Sequence, residues 1–175
     1  MFVVPMGFVR FPLNSKLYKQ TANYAGWMKN KDGTRIMNVI LCVDDNNGMM
    51  FNKRRQSRDR ILLEDILEYS KRNKLYINEY SSKLFHELNT GDIVVEPEFL
   101  NKAGTGEYCF VEDQSLIVIE HKIEKLIIYK WNRRYPADQY LDITLGDLWR
   151  LIESKEFKGA SHEKITKEIY IKCEN

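Results

Sequence analysis

Cysteine is scarce in this chain and poorly placed for cross-linking. The three present, Cys42, Cys109 and Cys173, each sit in an apolar or strand-like run with no CxxC pair, which excludes a disulfide framework and a zinc site and fits core residues in a reducing cytoplasm. No HxHxDH, HExxH or Cys/His cluster is present, so no metal is expected, and GxSxG and P-loop motifs are also absent. Long hydrophobic runs are missing. The opening MFVVPMGFVRFPL is interrupted by Pro5, Arg10 and Pro12, lacks a basic start, and falls short of the ~20 residues that span a bilayer, so neither a signal peptide nor a membrane anchor is expected. Charge of one sign is missing as well: 27 basic side chains face 25 acidic ones, for a net charge of +2. That balance gives no global attraction to nucleic acid. Any anion site has to come from local clustering such as Lys53, Arg54, Arg55, Arg58 and Arg60.

With 43% hydrophobic and 30% charged residues over 175 positions, the chain suits one folded domain with a single core. Residues 1–36 read as an extension, because turn formers (Asn14, Asn23, Gly26, Asp32, Gly33) break it into short apolar pieces without a sustained period. Tyr18, Tyr24 and Trp27 could pack it onto a domain over 37–175. That domain opens with a buried, parallel-type strand at Val39 to Val43, closed by DDNNG. Ser57 then caps a helix whose Ile61, Leu62, Leu63, Ile66 and Leu67 form an apolar face. A second strand spans Lys74 to Asn78, and Ser81 or Ser82 caps a helix with Leu84, Phe85 and Leu88 inward. Further strands are expected at Asp92 to Val95, Tyr108 to Val111 and Lys125 to Trp131, with a brief helix after Pro97 and an Asp113-capped helix over 114–121. Trp149 to Ile152 and a last strand with Ile165, Ile169, Ile171 and Cys173 on one face make a terminal antiparallel hairpin.

The order of these pieces resembles dihydrofolate reductase. ILCVDDNNGM is similar to that family's first strand and loop, RDRILLEDI to the following helix that begins at the catalytic carboxylate, and KLYINEYSSKLF to its VIMGRKTWESI segment. PADQYLDITLGDLWRLIESKEF and KITKEIYIK are similar to its closing hairpin. The likeness covers residues 37 to 173. It implies a three-layer α/β domain, with a mixed, mostly parallel sheet, flanking helices and a C-terminal antiparallel hairpin, and it places Asp59 where the family has its substrate-binding acid. KRRQSRD stands in place of the apolar approach that holds the pterin, and Gln139 stands for the Thr that supports the acid. In the cofactor half, NEYSS replaces GRKTW and leaves Glu79 where a cation would hold phosphate. FVEDQS replaces the Gly-Gly step with Glu112 and Asp113, whose side chains would crowd and repel a pyrophosphate. No cofactor is therefore expected.

Three constellations remain. NKRRQSRDR sets Arg54, Arg55, Arg58 and Asp59 about a helix N-terminus, where backbone N–H groups and guanidinium forks suit a phosphate, nucleotide or RNA backbone. The same charges also fit a solvated loop paired to Asp44, Asp45, Glu64 or Asp65. WNRRYPAD follows a buried strand and offers Arg133, Arg134, Tyr135 and Asp138 at its end, where α/β sheets place ligands, or else forms a turn ordered by Pro136. SHEKIT holds the histidine with an acid and a base beside it, making His162 the acid-base candidate; an ordinary hairpin-loop histidine has the same surroundings. With Glu79 and Tyr80 at the end of the second strand, these residues could line one polar cleft.

Three functions fit. One is a divergent reductase-like protein without NADPH binding that holds an anionic small molecule, nucleotide or RNA around Arg55, Asp59 and Arg133. Another is a metal-independent ribonuclease or phosphodiesterase with His162 exchanging protons and arginines stabilising phosphate charge. The third is a non-enzymatic interaction protein in which the N-terminal extension packs on a partner or on a second copy, giving a homodimer.

Overall fold

The computed structural model describes residues 36–88 and 92–173. The N-terminal extension expected from the sequence lies, but for Ile36, outside the described residues.

Apolar, β-branched runs supply the centre of the fold. β1 (Met37–Val43) pairs in parallel with both β6 (Tyr108–Val111) and β7 (Ile123–Lys130), so both of its edges are paired, and side chains pack on both of its faces. That is why it reads as a continuous apolar run. β4 (Leu75–Ile77) and β5 (Ile93–Val95) extend the parallel part beyond β6. On the other side β10 (Ile165–Lys172) runs antiparallel to β7, and β9 (Trp149–Phe157) antiparallel to β10. The seven-stranded order is β5-β4-β6-β1-β7-β10-β9. A separate small sheet joins β2 (Gly48–Phe51), β3 (Arg54–Arg55) and β8 (Gln139–Tyr140) in the order β3-β2-β8.

Alternating residues of β1 feed two cores. Val39, Leu41 and Val43 pack with Phe99, Leu116, Ile143 and Trp149 on one face. Ile40 packs with Leu62, Ile66, Phe85, Tyr129 and Trp131 on the other. The second core lies under α1 (Arg60–Ser70) and α2 (Glu79–Phe85), while the first lies under the short α3 (Phe99–Lys102) and a 3-10 turn at Ile117–Lys122. These layers are the expected α/β arrangement.

Several local expectations are corrected. Asp59, not Ser57, caps α1, its carboxylate accepting from the Ile61 and Leu62 N–H groups; a charged acceptor suits the helix dipole better than a hydroxyl. Asn78, not Ser81 or Ser82, caps α2, accepting from Ser81 N at 2.9 Å. The helix expected over 114–121 is the 3-10 turn, consistent with the β-branched Ile117, Val118 and Ile119, which crowd an α-helical turn. β9 runs on to Phe157 rather than ending at Ile152. Its residues Arg150 to Glu156 are exposed, as an edge strand guarded by charge allows, so apolar periodicity gave no sign of it. In β10 the register shifts between Ile169 and Tyr170, which leaves Ile171 and Cys173 half-buried while Ile165 and Ile169 are buried.

Candidate functional site

The parallel strands β1, β4, β6 and β7 end at one rim of the sheet, and polar residues follow each of them: Asp44, Asn78, Glu112 and, after Trp131, the 132–138 turn. Asp44 is buried and ties this rim together. Its carboxylate accepts from the N–H groups of Asn46 (2.8 Å) and Gly48 (2.7 Å), from Gln56 Nε2 (3.2 Å) and from Tyr135 N (3.0 Å). Gly48 is required by close approach, since a Cβ there would stand 2.6 Å from Ala137 Cβ and from Gln56 Nε2. Asp138 fastens the opposite side by accepting from Asn52 N at 2.8 Å.

Asp59 and His162, 103 positions apart, meet at the N-terminus of α1. The side chain of Asp59 is wholly buried and that of His162 is 3% exposed. Asp59 Oδ1 accepts from Ile61 N (3.0 Å), Leu62 N (3.4 Å) and Ala160 N (2.9 Å). Oδ2 accepts from Ser161 N (2.8 Å) and Ser161 Oγ (3.1 Å), and faces His162 Nδ1 at 3.1 Å. Burial alone would raise the pKa of this carboxyl. The Ser161 and Ala160 N–H groups, with the His162 and Ser161 side chains, outweigh burial and hold it well below the usual carboxylate range. Gly159 permits the contact, for a Cβ there would lie 2.5 Å from Asp59 Oδ2.

With Nδ1 turned to a carboxylate, the neutral imidazole carries its proton on Nδ1 and presents the Nε2 lone pair outward. Nε2 faces two hydroxyls, Ser57 Oγ at 3.1 Å and Tyr135 OH at 3.2 Å. Trp131 stacks on the ring, 4.8 Å between centroids and 30° between planes, which fixes its orientation.

A second cluster lies beside the first. Arg55 donates from Nε and Nη2 to the two oxygens of Glu112 at 2.9 and 3.1 Å and packs its guanidinium 4.5 Å above the Tyr80 ring. Tyr80 OH accepts from Arg55 N, and Ser81 Oγ donates to Glu112 at 2.7 Å. Burial raises the Glu112 pKa, against the opposing pull of Arg55 and the Ser81 hydroxyl. The basic loop thus finds its acid in Glu112. Of the acids expected from the sequence, Glu64 pairs with Arg60 at 2.7 Å, whereas Asp65 is taken by Lys167 and Tyr129 OH, each at 2.6 Å.

Of the nine candidate residues, the structure therefore joins Asp59 to His162 and Arg55 to Tyr80. Arg54, Arg58 and Arg133 are exposed, and their guanidinium groups pair with no described residue. Glu79 is exposed in the first turn of α2, and Asp138 is spent on the Asn52 N–H. Sequence reasoning missed Ser57 and Tyr135 as partners of His162, Ser161 as a partner of Asp59, and the Glu112 to Arg55 pair. The nearest signals were Ser161 beside His162, and Glu112 standing where the resemblance calls for glycine.

Between the two clusters runs a cleft lined by Cys42, Arg55, Ser57, Arg58, Asp59 and Trp131, with free space of about 20 Å³. That suffices for a water molecule and no more. An open groove lies outside it, walled by Phe51, Arg54, Gln56, Tyr135 and Pro136. Arg55 and Gln56 border both spaces.

A dihydrofolate reductase from Enterococcus faecalis, solved in complex with NADP(H) and RAB-propyl, superposes on this arrangement with a TM-score of 0.56, covering 79% of this chain and 97% of that one. The fold is that of dihydrofolate reductase. Identity over the match is 8%, so the likeness shows the fold alone. By sequence, no protein-family model and no curated protein matches the chain. Among the described residues no group of three or more His, Cys, Asp or Glu could hold a metal ion, and no helix is long and apolar enough to cross a membrane.

Proposed function

We propose that this dihydrofolate-reductase-like domain holds an anionic ligand, a nucleotide or an RNA phosphodiester, in the groove between the β2–β3 hairpin and the Tyr135–Pro136 turn. The observation that carries this is the Arg54 guanidinium, unpaired among the described residues, on a groove walled by the Phe51 and Tyr135 rings. A free guanidinium offers bidentate contacts to phosphate, and exposed aromatic rings offer stacking faces to bases. Phe51 is 42% exposed, so its ring is available. Arg55, first expected to bind the anion, is neutralised by Glu112, and Asp59 has every oxygen engaged. The ligand accordingly lies at the rim, with Arg54 as its cation.

Fluorescence anisotropy of a labelled single-stranded RNA, with a nucleoside triphosphate as competitor, tests this reading. A charged hydrogen bond contributes about 1.5–3 kcal/mol, so Arg54→Ala should weaken binding roughly 10- to 100-fold. Affinity should also fall as salt rises. Competition by the mononucleotide would identify a nucleotide site, and its failure an RNA site. Equal affinity of Arg54→Ala and the parent chain would refute the groove.

A hydrolytic reading is favoured by one further observation, the Nδ1 contact of His162 with Asp59, which turns Nε2 toward the Ser57 and Tyr135 hydroxyls. Because Ser57 and Tyr135 cover Nε2, His162 exchanges protons with a ligand only through one of those hydroxyls.

A further inference from the structure

We infer that Ser57, His162 and Asp59 form a nucleophilic centre that cleaves esters through a covalent Ser57 intermediate. The three groups stand in the order that activates a serine: a buried carboxylate on Nδ1 and a hydroxyl on Nε2 of the same imidazole, at 3.1 Å each. Such a centre is recognised by geometry and roles rather than by motif or chain order, which is why the absence of GxSxG does not bear on it. Asp59 is the positioning residue. It fixes the tautomer and stabilises the imidazolium formed when Nε2 takes the serine proton.

Exposure divides the three as the chemistry requires. Asp59 and His162 are buried, Trp131 seals one face of the imidazole, and Ser57 is half-exposed. Ser57 is reached from its solvent side rather than through the water-sized cleft, and the neighbouring Arg58, exposed and without a partner among the described residues, supplies positive charge for an oxyanion developing beside the attacked carbon. Tyr135 OH competes for the same lone pair at 3.2 Å, but a phenoxide that attacks an alkyl ester is a better leaving group than the alkoxide and is expelled again, so the serine is the productive nucleophile. Tyr135 instead links the centre to the groove it helps to wall.

The step balances with water as the sole co-reactant. Ser57 Oγ attacks the ester carbonyl carbon while its proton passes to His162 Nε2. The carbon–oxygen bond to the alcohol then breaks, and the alcohol leaves with that proton. Water attacks the acyl-serine, gives a proton to Nε2, and releases the carboxylic acid with Ser57 restored. The substrate class, resting on the groove reading above, is an ester whose alcohol carries a phosphate held by Arg54.

An uncharged fluorophosphonate tests the nucleophile directly on the full chain. Attack by Ser57 Oγ on phosphorus expels fluoride and leaves a stable adduct that peptide mass spectrometry locates. The expected result is one adduct, on Ser57, absent from Ser57→Ala, with labelling slowed at least 100-fold in His162→Gln, since a positioned base contributes about 10²–10⁴-fold. Ser57 lies in a half-exposed loop, so Ser57→Ala keeps the fold, and the wild-type adduct can be read even where His162→Gln does not fold. No adduct on folded wild-type protein, an adduct on Tyr135 instead, or equal labelling rates in a folded His162→Gln would each overturn the inference. The probe carries no nucleotide, so labelling and a failure of RNA binding are observed separately. For the substrate class, a ribose-acetylated nucleoside 5′-monophosphate should be deacetylated at least 10-fold faster than the acetylated nucleoside. Equal rates would refute the phosphate-bearing substrate.

Discussion

Replacing Asp59 by asparagine changes one atom of a side chain that takes part in six hydrogen bonds among the described residues, and those bonds set the cost. The amide oxygen can retain the Oδ1 contacts, keeping the α1 cap and the Ala160 N–H; asparagine is itself a good capping residue. The amide nitrogen then faces the donors that met Oδ2: Ser161 N, Ser161 Oγ and His162 Nδ1. The hydroxyl can turn to accept, and His162 can move its proton to Nε2, but the Ser161 N–H has no alternative. One part-buried N–H left without its acceptor costs about 1–3 kcal/mol, and charge-assisted bonds reduced to neutral ones add about 1 kcal/mol. The expected loss is therefore about 2–4 kcal/mol, a large part of the ~5–15 kcal/mol that holds a domain together. Urea unfolding followed by tryptophan fluorescence measures it, with Trp131 on His162 as a local reporter. With a slope of about 1–3 kcal/mol per molar, the midpoint should fall by roughly 1–2 M at constant slope. Nitrogen-15 spectra of His162 should show the tautomer reversed. A loss below about 0.5 kcal/mol with the parent tautomer would refute the account of Oδ2 as the acceptor that holds the 159–162 loop.

Two further outcomes follow from the same packing and charges. Phe85 is 2% exposed and meets Phe110 edge-on at 5.6 Å, so Phe85→Ala should cost about 3–5 kcal/mol in the same urea titration and Phe85→Leu under about 1.5 kcal/mol; equal midpoints for the two would show that α2 does not depend on that ring. Asp59 has a folded pKa below its unfolded value of about 3.9, so its contribution is complete above that value and is lost as pH falls through the folded pKa. Asp142 acts in the same window: burial would raise its pKa, but the Ser115 hydroxyl and the Leu116 N–H lower it. Urea midpoints at pH 6, 4 and 3 should therefore fall with acid, and the fall should be shallower in Asp59→Asn; an unchanged slope in that variant would remove Asp59 from the titration.

The parts of this structure legible in the sequence are those determined by local composition. Val39 to Val43, KLIIYKW and KITKEIYIK announce strands because β-branched residues crowd a helix and fit a pleated sheet. The apolar face of α1 follows from its 3.6-residue period. The small sheet was not legible, because Gly48 pairs with Tyr140 across 92 positions, held by the Asp44 bonds to Gly48 and Tyr135 and by Asp138 on Asn52, which no local pattern announces. In SRDR two residues can cap a helix, and Asp59 prevails over Ser57 because its carboxylate also satisfies the N–H groups of Ala160 and Ser161. Both members of the Asp59 to His162 pair were legible separately, Asp59 through the resemblance and His162 through SHEKIT. Their meeting depends on β10 returning antiparallel to β7 and presenting the 158–164 loop to the start of α1, a long-range consequence of register.

The rim also departs from what the resemblance implies. Where the resemblance implies an apolar pterin approach and a glycine pair against a dinucleotide, this chain places Arg55 and Glu112, and the two satisfy one another. Ser81, the Tyr80 ring and the Arg55 backbone complete that cluster, so it needs no ligand to balance its charge. On the other side, the Asp59 carboxylate is consumed by the 159–162 loop and reaches outward only through His162. Between them about 20 Å³ of space remains. A ligand larger than water therefore requires either a displacement that breaks the Arg55 to Glu112 pair or a position outside it. Breaking the pair would leave Glu112, 8% exposed, without its cation, a cost of several kcal/mol for a buried charge. The open groove demands no such cost, and its Arg54 guanidinium has no described partner to give up. The proposed binding at the rim, with Ser57 next in sequence to the groove residue Gln56, is thus the arrangement that leaves both clusters intact.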